Sequence, residues 1–117
     1  MNRNALKVIY ALTKYDESMR DRLREANGLD GVVKSLGVHN EDIQLYSAGI
    51  LDHCSQNSEE NRKKIKELNA VEPLSKLLDH QNEKIANHAA NTLFNLTMND
   101  SMIRFPSTHR FKFNKMQ

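Results

Sequence analysis

Apolar residues along this chain recur at intervals of three and four, the spacing that places side chains on one face of an α-helix. The longest predicted helix runs over residues 82–98, where the apolar stripe consists of Ile85, Ala89, Leu93 and Leu96. No segment keeps the period-two alternation that a half-buried strand would need. The pattern therefore predicts an all-α chain.

A short helix is predicted ahead of this long one, over residues 59–68. Ser58 has a side chain that can cap a helix, and two glutamates follow it at the positive end of the helix dipole. We expect this helix to bury Ile65 and Leu68.

A second short helix is predicted over residues 72–78, after a break at Asn69 and Ala70. Pro73 lies in its first turn, where a missing backbone donor has no consequence. Its apolar residues at helical spacing are Leu74, Leu77 and Leu78. The same break in the preceding part of the chain is at Asn27 and Gly28, and Gly28 is predicted to take the left-handed conformation that ends a helix.

The chain matches itself without a gap when it is shifted by 42 residues, from about residue 20 to residue 99. The matching pairs include Arg20 with Arg62, Leu23 with Ile65, Leu29 with Val71, Val32 with Leu74, Leu36 with Leu78, Ile43 with Ile85, Ala48 with Ala90 and Leu51 with Leu93. A period of about 40–47 residues with helical apolar spacing is typical of an α-solenoid, in which each unit buries its apolar face against its neighbours. Such a fold predicts a binding surface rather than a reaction.

Residues 61–97 read NRKKIKELNAVEPLSKLLDHQNEKIANHAANTLFNLT. The residues that fit a known family pattern here are Asn61, Arg62, Ile65, Val71, Pro73, Leu74, Leu77, Leu78, Ala89, Ala90, Leu93, Asn95, Leu96 and Thr97. The preceding copy keeps Gly28, Leu29, Val32, Leu36, Ala48, Leu51 and Ser55. This pattern resembles the armadillo repeat. HEAT repeats, the alternative, usually have two helices and a different proline pattern.

The resemblance implies an armadillo-type α-solenoid, a right-handed superhelix with about two full repeats and the end of a preceding one. The expected units are the third helix of a partial repeat at 1–15, repeats at 16–57 and 58–99, and a basic, aromatic-containing tail at 100–117 that is poorly ordered or caps the last repeat. Since about three repeats are usually needed for stability, we expect a fragment or truncated form of a longer armadillo repeat-containing protein. Ile9 and Leu12 would face water if nothing preceded them.

By the same resemblance, the long third helices line a concave groove that binds an extended peptide or a helix of another protein. The predicted partner-binding groove consists of Lys7, Tyr46, Gly49, His53, Lys84, His88, Asn91 and Asn95. Asn95 stands where the family carries an asparagine whose amide can donate to and accept from a peptide backbone. The chain has no tryptophan, which argues against a classical nuclear-import receptor, whose groove sandwiches basic side chains between indoles.

Charge is unevenly distributed along the chain. Residues 1–100 contain 13 Lys and Arg and 15 Asp and Glu, a net charge of −2, whereas residues 101–117 carry four basic residues and no acidic one. The basic residues of the first short helices are predicted to form a solvated outer face; they are Arg20, Arg22, Arg24, Arg62, Lys63, Lys64 and Lys66.

The primary functional expectation is a protein-interaction scaffold or adaptor, with other proteins as partners, and with neighbouring repeats or a second copy as further ones. The repeats themselves give no charge argument for nucleic acid. An alternative is that the basic tail, in which phenylalanines alternate with Arg and Lys, binds nucleic acid or an acidic membrane.

The sequence carries no enzyme signature. It has no glycine-rich phosphate loop, no G-x-S-x-G and no H-E-x-x-H motif, so we expect no catalytic residue, cofactor or metal. His53 and Cys54 are adjacent, but neighbouring residues of a helix point about 100° apart. One cysteine allows no internal disulfide, and no apolar run approaches the roughly 20 residues of a membrane span. A cytoplasmic location is therefore expected, with the nucleus or the cytoskeleton also possible.

Overall fold

A computed structural model describes residues 1–97, and every regular element in that range is a helix. The elements are α1 (Arg3–Tyr15), α2 (Glu17–Glu25), α3 (Leu29–Ser35), α4 (Glu41–Ser55), α5 (Glu59–Glu67), α6 (Val71–Lys76), a 3₁₀ turn (Leu77–Asp79) and α7 (Glu83–Thr97). The predicted order of two short helices and one long helix occurs twice, in α2–α4 and in α5–α7. The architecture is an α-solenoid, as expected. Met98 and the tail at 100–117 lie outside the described residues.

Side-chain caps explain where four of the helices begin. Asn2, Asp16, Asn40 and Ser58 each accept a hydrogen bond from a backbone N–H in the first turn of α1, α2, α4 and α5, respectively. The first four N–H groups of a helix lack intrahelical partners, so each cap stabilises its helix by about 1 kcal/mol. The capping role predicted for Ser58 is confirmed.

The breaks between the short helices depend on asparagine rather than glycine. Asn27 and Asn69, which are 42 residues apart, both have φ 62°. Asparagine tolerates this left-handed conformation because its short polar side chain hydrogen-bonds locally. The prediction that Gly28 takes it is wrong, since Gly28 has φ −79°. Gly28 packs closely against Leu23, whose side chain would have to shift if a Cβ were added at this position.

The core lies between the units, and α4 is at its centre because α1 and α7 pack on opposite sides of it. Residues 47–55 of α4 are consecutively buried. The large side chains with the least exposure are Leu6, Leu29, Val32, Leu36, Ile50, Leu51, Ile65, Leu74 and Ile85. Burying each one stabilises the fold by about 1.5–3 kcal/mol before the entropy of ordering is counted.

The buried stripe of α7 differs from the predicted one at one position. Ile85, Ala89 and Leu96 are buried, but Thr92 is buried in place of Leu93, which is half-buried. Thr92 can be buried because its hydroxyl donates to the carbonyl of His88 at 2.7 Å. Leu68, which the sequence predicts to be buried, follows the last residue of α5 and is half-buried, and Leu78 lies in the 3₁₀ turn and is exposed.

Two arginines of the predicted outer face instead bind the ends of preceding helices. Arg20 Nε donates to the Thr13 carbonyl at 2.6 Å, and Arg62 Nη1 donates to the Ser55 carbonyl at 3.0 Å. Both pairs are seven residues apart, and they are related by the 42-residue shift. The last carbonyls of a helix are unpaired and carry partial negative charge, so a guanidinium stabilises them. The outer-face prediction is therefore wrong for these two residues.

Candidate functional site

Three long helices, α1, α4 and α7, lie side by side and form one continuous surface, which we call the long-helix face. Hydrogen bonds between side chains about 40 residues apart join neighbouring helices across it. These bonds link Thr13 with His53, Asp52 with His88, Asp52 with Asn91, and Ser55 with Asn95. The face is thus built by the stacking of units, since no single unit contains both partners of any of these pairs.

An aromatic cluster lies at the centre of this face. The ring centroid of Tyr10 is 5.4 Å from that of Tyr46, 5.1 Å from that of His53 and 5.9 Å from that of His88. Gly49 lies directly against the cluster, because a Cβ at this position would run into the Tyr10 ring and come within 3.2 Å of His88 Nε2. Of the residues predicted for the groove, these contacts bring together Tyr46, Gly49, His53 and His88.

His53 is buried, with 7% of its surface exposed. Its Nδ1 lies 2.9 Å from the hydroxyl of Thr13, and that hydroxyl donates to the carbonyl of Ile9 at 2.9 Å. This contact joins α1 to α4 in either tautomer of the His53 ring. Burial lowers the pKa of His53 to about 4, helped by the nearby His88, Arg20 and Lys14, while Asp52 acts in the opposite direction.

Asp52 is the charged centre of the face, although only 5% of it is exposed. One carboxylate oxygen accepts from His88 Nδ1 at 2.9 Å and from Asn91 Nδ2 at 3.3 Å, and the other accepts from Gln56 Nε2 at 3.3 Å. A buried carboxylate needs such donors to offset the loss of hydration. This residue therefore fixes the orientation of two side chains on the next long helix.

The two asparagines predicted for the groove, Asn91 and Asn95, differ in the hydrogen bonds that their amides make within the chain. Asn95 Nδ2 donates to the hydroxyl of Ser55 at 3.0 Å, and that hydroxyl donates to the carbonyl of Asp52 at 3.0 Å. Asn91 is exposed and makes only the longer contact with Asp52. One amide hydrogen of Asn95 is thus donated to the neighbouring unit, and this hydrogen bond orients the rest of the amide.

The remaining predicted groove residues are lysines. Lys7 on α1 and Lys84 on α7 are both exposed. The backbone N–H of Lys84 donates to the Asn82 side chain at 2.9 Å. These two residues lie outside the aromatic cluster and supply positive charge to the helices on either side of α4.

The guanidinium group of Arg3 lies beside the aromatic cluster. Arg3 Nε donates to Asp42 Oδ2 at 2.8 Å, and its guanidinium carbon is 6.0 Å from the centroid of the Tyr46 ring. The hydrogen bond and the charge of Asp42 raise the pKa of Arg3. Arg3 and Asp42 are both about half-exposed, so this pair marks the edge of the face.

Sequence reasoning missed Asp52 and Tyr10. The signal for Asp52 was available, since an acidic residue within the apolar run from Ile50 to Cys54 indicates a buried carboxylate with partners. No such signal existed for Tyr10, because its place beside Gly49 depends on how α1 packs against α4.

The family comparison agrees with this geometry. Residues 58–98, the segment that contains α5, α6 and α7, match the Armadillo/beta-catenin-like repeat family. This segment is an armadillo-like repeat. No curated protein sequence matches it.

A solved structure supports the α-solenoid fold for most of the chain. The crystal structure of an engineered protein, determined by the Northeast Structural Genomics Consortium, superimposes on it with a TM-score of 0.74 at 23% sequence identity. The match covers 80% of this chain and 38% of the engineered one, so the chain spans well under half the length of that structure. At this identity the likeness shows the fold alone.

Two further observations concern the part of the chain that the structure describes. Within residues 1–97, no three His, Cys, Asp or Glu side chains are grouped so that they could hold a metal ion. In the same range, no helix has the length and apolar character needed to cross a membrane. The basic tail, on which the nucleic-acid or membrane alternative depends, lies outside the described residues.

Proposed function

We propose that this armadillo-like protein is a non-catalytic scaffold or adaptor whose long-helix face binds a protein partner, either an extended peptide or a helix. Armadillo repeats generally serve as protein-interaction scaffolds, which supports the class of function. The observation that carries the proposal is the alignment of α1, α4 and α7, whose polar and aromatic side chains are joined by hydrogen bonds and ring contacts along one surface.

The chemistry of the long-helix face suits a peptide or a helix. Its floor of Asp52, His53 and Gly49 is buried and held by hydrogen bonds and ring contacts, so little conformational entropy would be lost there on binding. Above this floor, Asn91 and Lys84 are exposed and Tyr46 is half-buried. Amides, ammonium groups and a tyrosine ring together can bind backbone carbonyls, acidic groups and apolar side chains.

A charge-reversal experiment tests the proposal with matched variants. The Lys7→Glu/Lys84→Glu double variant changes the long-helix face, and Lys63→Glu/Lys66→Glu makes the same change on α5; all four lysines are exposed. With a photo-cross-linking residue at position 91, we expect the unmodified chain to cross-link to a discrete set of cellular proteins. The Lys7→Glu/Lys84→Glu variant should reduce the cross-linking yield at least tenfold, because its new carboxylates would repel the acidic groups of the partner that the lysines bind. The α5 variant should change the yield less than twofold.

The control for folding is the thermal unfolding curve, which should be the same for both double variants. An equal loss of cross-linking in the two variants would contradict the proposal, as would full cross-linking by the Lys7→Glu/Lys84→Glu chain. Either result would mean that the face does not determine partner binding.

A cytoplasmic location is part of the same proposal. Cys54 is the single cysteine of the chain, and it is a free, fully buried thiol. Burial raises its pKa to about 12, so it behaves as a small apolar core residue. A core that contains a free thiol suits the reducing cytoplasm, where disulfides are rare.

A further inference from the structure

A crevice of about 480 Å³ lies between the linker that leads into α4 and the linker that leads into α7. We call it the linker crevice. Its floor is apolar, since it consists of Leu36 and Leu77, which are buried, and Pro73, which is half-buried. All of the described residues that line it lie between positions 36 and 80, and none of them belongs to the predicted partner-binding groove. The linker crevice is therefore internal to the stack and separate from that groove.

The rim of the linker crevice is polar and consists of His39, Gln44, Lys76 and His80. Hydrogen bonds hold the His80 ring in place. The backbone N–H of Asn82 donates to its Nδ1 at 2.9 Å, and its Nε2 lies 3.1 Å from Gln44 Oε1. Because a backbone N–H can only donate, the proton of the neutral ring is on Nε2, which donates to Gln44. This bond orients the Gln44 amide, whose nitrogen is itself a hydrogen-bond donor.

The charge of the linker crevice is positive. None of the described residues that line it is an aspartate or a glutamate, whereas Lys76 supplies an ammonium group. Lys76 also pairs with Glu72 at 4.0 Å, but the two side chains are 75% and 81% exposed, and ion pairs this exposed contribute little. The ammonium group can therefore turn from Glu72 to the carboxylate of a ligand. Charge complementarity thus favours an acidic ligand.

We propose that the linker crevice binds an extended acidic segment of a partner protein. A leucine of that segment enters the apolar floor, and glutamates two residues before and after it reach the rim. These three side chains share one side of the segment, because alternate residues of an extended chain point the same way. His39 and Lys76 on the rim are exposed, whereas a small-molecule site buries most of its ligand. The open rim therefore favours a peptide.

A synthetic peptide tests this site on the full chain. The probe is acetyl-Glu-Ser-Leu-Ser-Glu-amide, and two control peptides replace either both glutamates by glutamine or the leucine by serine. Added at millimolar concentrations to the ¹⁵N-labelled chain, the probe should cause saturable shifts in the amide signals of Gly37, His39 and His80. Each control should bind at least about threefold more weakly, because one lacks the charges and the other lacks the apolar side chain. Equal binding of all three peptides, or no saturable shift, would overturn the proposal.

Two equivalent lysines supply a matched pair of variants. Lys34 and Lys76 are 42 residues apart, each pairs with an acidic residue four positions before it, and each side chain is 75% exposed. Lys76 lines the linker crevice and Lys34 does not. Lys76→Gln should weaken binding of the probe about threefold, whereas Lys34→Gln should leave it unchanged, with the same thermal unfolding curve for both. Equal effects of the two substitutions, or shifts centred on Gly49 and Asn91 of the long-helix face, would contradict the proposal.

Discussion

Individual polar residues of this protein are buried where they join one unit to the next. Asp52 and His53 are adjacent in the chain, yet Asp52 binds α7 and His53 binds α1. Neighbouring residues of a helix point in different directions, so one dipeptide of α4 connects the helices on both of its sides. Such buried groups stabilise the fold only while they are fully hydrogen-bonded and in the correct charge state.

The protonation of His53 makes stability depend on pH. Its pKa falls from an ordinary value of 6.5 to about 4 in the folded protein, so between these values the unfolded state binds more protons than the folded state. Stability due to His53 is therefore complete above pH 6.5 and is lost as the pH falls towards 4. We expect a loss on the order of 2 kcal/mol. Urea unfolding of the wild type and of His53→Gln, compared from pH 7 to pH 4, measures it.

The carboxylates that also titrate in this range are common to both proteins, so the difference between the two curves isolates His53. The gap in unfolding free energy should narrow as the pH falls. A gap that stays constant from pH 7 to pH 4 would mean that His53 has the same pKa in the folded and unfolded states.

At the scale of helices, two arginines that are 42 residues apart, Arg20 and Arg62, make the same capping interaction. Arg20 and Arg62 each lie in the first helix of a unit and bind the carboxyl end of the long helix before it. Asn61 assists at the second of these ends, since its Nδ2 donates to the Cys54 carbonyl at 3.0 Å. The tight turn between a long helix and the next short helix thus has a polar connection as well as an apolar core.

Replacement of Arg62 by Met should destabilise the protein. The change keeps most of the apolar length of the side chain but leaves the Ser55 carbonyl without this donor, so we expect a loss of about 1–3 kcal/mol. Lys63→Met is the matched control, because Lys63 is exposed, and it should change stability by less than about 0.5 kcal/mol. Urea unfolding at pH 7 checks both. Equal effects in the two variants would show that the arginine contributes no more than a surface charge.

At the scale of the whole molecule, stability comes from the packing of units rather than from any one helix. Helix α4 is buried because α1 and α7 enclose it, and isolated helices of this length are marginal in water. The contact between Tyr10 and Gly49 shows how closely two units approach. A change at that contact should therefore affect the stacking of α1 on α4.

Substitution of Gly49 by Ala has two opposing effects on the stability of the protein. Alanine favours a helix over glycine by about 0.5–1 kcal/mol, whereas overpacking in a buried contact costs about 1–3 kcal/mol. Because the new Cβ would run into the Tyr10 ring, we expect net destabilisation. In the Tyr10→Ala background the ring is absent and His88 Nε2, 3.2 Å from the added Cβ, is the remaining close neighbour, so Gly49→Ala should destabilise the protein less than it does in the wild type. A double-mutant cycle in urea measures the coupling, and additive effects would contradict the close contact.

The helices, their order and most of the buried apolar positions could be predicted from the amino-acid sequence, although Val71 and Leu78 are exposed where their 42-residue equivalents Leu29 and Leu36 are buried. Apolar spacing, the Ser58 cap and the self-match depend on residues near one another or on a fixed period, so they can be read without coordinates. Only the tertiary structure revealed the interactions between units. The hydrogen bond between Asp52 and His88, the Tyr10 contact with Gly49 and the capping by Arg62 each depend on how separate helices approach. The physical reason is that periodicity fixes which face of a helix is buried, whereas packing decides which polar groups meet there.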